Sequence, residues 1–96
     1  EIAAVLGGET RTLVLTLGAL AELESALGAD DLVALSERFA SGRLKARDLI
    51  AVIGAGLRGA GESISDEEVA RMTVEGSAAG YVRIAAALIS ATFEGA

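Results

Sequence analysis

Three glycines at G-x-G-x-x-G spacing, in Gly54-Ala55-Gly56-Leu57-Arg58-Gly59, are the residues of this chain whose pattern comes nearest to a chemical site. In a dinucleotide fold that spacing permits a tight turn and close approach of backbone to a pyrophosphate, which sits on the N-terminus of the following helix. Leu49 to Ile53 could pass for the preceding strand, and Glu75 lies about where a ribose-binding acid would. The surroundings argue otherwise. Gly61-Glu62-Ser63-Ile64 close a helix rather than open one, and no α/β unit precedes the glycines. Close helix packing, or a helix end and turn, is the expected role of these glycines.

The other chemistry-bearing residues are carboxylates and hydroxyls. Glu22 and Glu24 lie two apart on a predicted helix and do not share a face. Asp30-Asp31 lacks the spaced oxygen ligands of a calcium loop. Serine and threonine have no histidine to activate them, and the absence of cysteine removes thiolate nucleophiles, thiolate metal sites and disulfides. The expectation is a protein that is not an enzyme and uses no cofactor and no metal.

The net charge is −6 and the pI near 4.5, which argues against nucleic acid as a partner. Arg43, Lys45 and Arg47 form a small basic group followed at once by Asp48, read either as a phosphate patch or as a solvated helix start. No apolar run approaches the ~20 residues that a bilayer-spanning helix needs, and no signal-peptide pattern is read, so no membrane partner is expected. Ninety-six residues make a single domain over residues 1–96. Of its 50 hydrophobic residues 20 are alanine, so the core must rest on few large side chains and closely packed helices.

Those residues need elements to position them. Ile2 to Leu6 alternates as a strand, and Gly7-Gly8 supplies the positive φ of a tight hairpin. The returning strand is expected from Glu9 or Thr10 to Leu17, with Leu13, Leu15 and Leu17 inward, Arg11 at the rim of that face, and the threonines toward solvent. At Leu20, Leu23 and Leu27 the period becomes helical, with Gly18 as pivot and Gly28 as stop. Asp30 is expected to cap a second helix carrying Leu32, Leu35 and Phe39, closed by Gly42. A third helix follows Leu44, with Leu49, Val52, Ile53, Gly56, Leu57 and Ala60 at core spacing. Ser65-Asp66-Glu67-Glu68 is a capping box that starts a short helix through Val69, Met72 and Thr73 to about Glu75. The last helix should run from Ala78 or Ala79 to Phe93. It is apolar over more than half its circumference, as a central or an interface helix would be. The fold class is α+β: an N-terminal β-hairpin followed by a bundle of four to five short α-helices packed on its leucine face.

The candidate partner-binding residues are Leu57, Tyr81, Ile89 and Phe93. Aromatic and large aliphatic side chains are favoured at binding hot spots, and each of the four could equally fill the core.

The run from Thr12 to Glu24, with its Leu13-Val14-Leu15-Thr16-Leu17-Gly18 switch of period, resembles the opening of the gene-transfer-agent tail family. So does the run from Arg38 to Gly61, through Gly42-Arg43-Leu44-Lys45 and Gly54-Ala55-Gly56. These are small phage-derived proteins of alphaproteobacterial type, classed both as tail tube proteins and as tail assembly chaperones. The resemblance implies a part in virion morphogenesis: a chaperone in the cytoplasm that binds the tape-measure and tail-tube proteins, or, alternatively, a structural subunit of the virion tail. It brings no catalytic residues. Surplus apolar surface on an acidic protein is compatible with helical partners, and self-association into a homo-oligomer is another use of such a surface.

Overall fold

In the computed structural model, which describes residues 1–42, 44–74 and 76–93, two antiparallel strands, β1 (Ile2–Leu6) and β2 (Glu9–Leu13), are followed by five helices. These are α1 (Leu17–Leu27), α2 (Leu32–Ala40), α3 (Ala46–Gly59), α4 (Asp66–Arg71) and α5 (Ser77–Phe93). The α+β class expected from the sequence is the one observed. Ile2 faces Leu13 and Leu6 faces Glu9 across the ladder, and Gly7 and Gly8 both take positive φ to make the two-residue turn.

The returning strand is shorter than the alternation predicts, ending at Leu13 rather than Leu17. Past that point the Val14 N–H, which faces away from β1, donates to the Gly56 carbonyl of α3 at 3.0 Å. Leu13 and Leu15 remain in the core, but Leu17 is 76% exposed on the first turn of α1. The pivot is Thr16, whose hydroxyl accepts from the Ala19 N–H at 3.1 Å, and Gly18 lies inside the helix. A side-chain cap can start a helix wherever its oxygen reaches the third amide, and period alone does not reveal that.

Smaller differences have similar causes. Asp31, not Asp30, caps α2, accepting from the Ala34 N–H at 2.8 Å. The Ser65–Glu68 capping box forms as expected, but α4 ends at Arg71. There Met72 turns extended, and the Thr73 carbonyl accepts from the Gly7 N–H at 2.8 Å. α5 begins at Ser77 instead of Ala78 or Ala79. Ala60 follows the last turn of α3 and is exposed rather than in the core. Arg43 and Glu75, singled out in the sequence, lie outside the described residues.

The centre of the molecule is α3, which packs against α1, β2, α4 and α5. Val52, Ile53, Ala55 and Leu57 are fully buried there with Leu6, Leu13, Leu23, Leu35 and Leu88. The glycines of α3 explain how so many elements reach one helix. A Cβ on Gly56 would stand 2.6 Å from Leu88 Cδ2 and 3.2 Å from Leu13 Cβ, and one on Gly59 would collide with the Val14 carbonyl oxygen. The helix-propensity cost of about 1 kcal/mol per glycine is offset by this close approach. Arg58, at the last turn of α3, joins α1 to α4 by ion pairs to Glu22 and Asp66 and donates to the Ile64 carbonyl at 3.0 Å. Burial alone would lower its pKa, but the hydrogen bonds and negative charge of Glu22 and Asp66 outweigh that and raise it.

Candidate functional site

The glycine motif first considered for phosphate binding lies in the C-terminal half of α3. Gly54 approaches Asp66 and Arg58, Gly56 approaches Leu13 and Leu88, and Gly59 approaches Val14. No helix N-terminus follows the glycines to receive an anion, since the next helix, α4, starts at Asp66. Their backbone is therefore committed to packing. Lys45 and Arg47 of the basic group flank the start of α3, where the Lys45 N–H donates to the Asp48 carboxylate at 3.0 Å.

A different feature lies between α2 and α5, which leave an apolar groove of about 550 Å³. Phe39 and Ala40 line it from α2, Val82, Ala86, Ile89 and Phe93 from α5, and Leu44 and Leu49 from the start of the α3 region. Apart from Ser36 and Ser90, the side chains of this lining are hydrocarbon. Phe39 and Phe93 meet across it in a tilted pair with ring centroids 6.0 Å apart, the edge-toward-face geometry that aromatic quadrupoles favour. Val82 is 50% exposed although it is a large aliphatic residue on a folded helix. A smaller apolar recess of about 160 Å³, lined by Ile50, Val69, Ala70 and Tyr81, shares Leu49 with the groove.

An ion pair ties one wall of the groove to the central helix. Asp48 is buried in the first turn of α3 and accepts from Arg38 Nη2 of α2 at 3.0 Å as well as from the Lys45 N–H. A buried carboxylate with both of these donors fixes the end of α2 relative to the start of α3.

The four sequence candidates separate cleanly. Ile89 and Phe93 line the groove. Tyr81 is half-buried in the neighbouring recess, and its hydroxyl donates to the Met72 carbonyl. Burial raises the Tyr81 pKa above its ordinary 10.0. Leu57 is fully buried in α3 and has no surface with which to meet a partner. Val82 and Ala86 were not singled out as contact residues in the sequence. The signal was present, because the last helix carries apolar side chains over more of its circumference than one packing face requires.

Fold and groove together define a small α+β protein with an unfilled apolar recess between two helices; no described helix is long and apolar enough to cross a membrane. The chain belongs to the family described as phage tail tube protein, GTA-gp10, whose model matches residues 1–95. No curated protein and no solved structure matches it. Family membership places the chain among the tail-family proteins of phages and gene transfer agents.

Proposed function

We propose that the chain is a non-catalytic tail assembly chaperone that acts in the cytoplasm while particles are built. In this reading it binds the tape-measure protein and brings tail-tube subunits to it. The observation that carries the proposal is the groove between α2 and α5, a recess with the apolar lining that an amphipathic helix requires. Its occupant is a helical segment of the tape-measure protein with small and aliphatic residues on one face and basic residues beside them. Basic flanks follow from the net charge of −6, which favours encounter with a positively charged partner.

A structural role in the tail tube is the second reading, and the family description fits it equally. A tube subunit needs two different complementary surfaces that close a ring and repeat along an axis. A recess suited to one helix supports capture of a partner more directly than it supports that repetition.

Co-expression with the tape-measure protein tests the proposal. The wild-type chain should co-purify with it and hold it in solution, and Val82→Asp should lose that association while melting at the wild-type temperature, because Val82 is half exposed. Equal co-purification by the Val82→Asp protein would remove the groove from the account.

A further inference from the structure

We propose that the outer edge of β2 is a strand-addition site for an extended, basic segment of another tail protein. The inference rests on membership of the tail family and is independent of the groove. In a two-residue hairpin the residues flanking the turn exchange hydrogen bonds, so Leu6–Glu9, Ala4–Arg11 and Ile2–Leu13 are the bonded pairs. The N–H and C=O groups of Thr10 and Thr12 therefore point away from β1. The Val14 N–H obeys the same parity and reaches Gly56 of α3. Among the described residues nothing pairs with the backbone groups of Thr10 and Thr12. Alternate donors and acceptors along one edge are satisfied by another extended backbone and by few other ligands.

The edge is open at Thr10 and Thr12, short of the point where Val14 meets α3. Thr10 and Thr12 are exposed, and a cleft of about 340 Å³ runs beside Glu9 to Thr12, bounded on its far side by Ala60 and Glu62. The outer edge of β1 differs, since the Gly7 N–H is taken by Thr73 and α5 packs beside that strand.

Charge selects the occupant. Glu9 and Glu62 share a single cation, with Arg11 Nη2 at 2.9 Å from Glu9 and Nη1 at 2.6 Å from Glu62. Two carboxylates against one guanidinium leave one negative charge at the cleft, which a lysine or arginine of the added strand would balance. A second copy of the chain, pairing through its own β2, would bring Glu9 and Glu62 with the one guanidinium of Arg11, and so the same surplus negative charge.

Overlapping synthetic peptides covering the tape-measure and tail-tube proteins of the same particle provide the probe, with amide hydrogen exchange of the wild-type chain as the readout. At least one peptide carrying Lys or Arg should slow exchange of the Thr10 and Thr12 amides tenfold or more. Thr10→Pro, which removes an outward N–H without touching the hairpin ladder, should weaken that peptide at least tenfold, and Glu9→Gln should weaken it several-fold. Val82→Asp should leave it unchanged, so failure of the groove and failure of the edge are read separately. The inference is overturned if no peptide protects those amides, if Thr10→Pro binds as tightly as wild type, or if the amides become protected with rising concentration of the chain alone, which would mean that a second copy takes the edge.

Discussion

Gly56 faces both Leu13 and Leu88, so two layers of the molecule converge on a position where any side chain is excess. Gly56→Ala should lower stability by about 1–3 kcal/mol in denaturant unfolding, because overpacking outweighs a helix-propensity gain of about 1 kcal/mol. Gly54→Ala should cost less, since its new methyl would press on the ends of the Asp66 and Arg58 side chains, which can move. Tyr81 offers a second measurement at this scale. It is the only tyrosine of a chain without tryptophan, so tyrosinate absorbance reports it alone. Burial raises its folded pKa, so the native midpoint should lie above 10.0 and return to the ordinary value in denaturant. The sign of the linkage follows. The contribution is fully present below pH 10 and is lost as pH rises through the raised folded pKa, and Tyr81→Phe should remove that alkaline loss.

At the level of elements, the hairpin and all five helices were legible because alternation, 3.6-residue spacing and capping residues agreed with one another. What the sequence did not reveal were choices between neighbouring residues that tertiary contacts decide. Leu17 satisfies the strand alternation as well as Leu13 and Leu15 do, yet it is exposed because Val14 bonds to α3 and Thr16 caps α1. Asp30 and Asp31 are equal as caps on composition, and only Asp31 reaches the Ala34 amide. Asp31→Ala should therefore cost about 1 kcal/mol in thermal or denaturant unfolding, while Asp30→Ala should be close to neutral. The ion pair of Arg38 with Asp48 was invisible for a different reason. Ten residues separate the partners, and Asp48 reads locally as no more than a first-turn acid. Arg38→Ala leaves the buried Asp48 with the Lys45 amide as its one donor among the described residues, and because Arg38 is itself 37% exposed a loss of about 1–3 kcal/mol is expected, at or above the upper end for a surface pair.

For the whole molecule, one long glycine-bearing helix at the centre lets a chain with 20 alanines build a core while large side chains remain on α5. The candidate contact residues were partly legible: Ile89 and Phe93 line the groove, whereas Leu57 lies in the core because its position on α3 faces inward. Sequence spacing gives a face, and only packing decides which faces remain uncovered. The family places the chain among phage-like tail proteins, and the proposal of a helical partner rests on the groove. The most direct test of the chaperone reading is quantitative mass spectrometry of purified particles against the cell extract in which they assemble. The chain should be abundant in the extract and absent from finished particles, or present far below the tail proteins. A stoichiometry equal to that of a repeating tail component would contradict that reading and assign the chain to the tube.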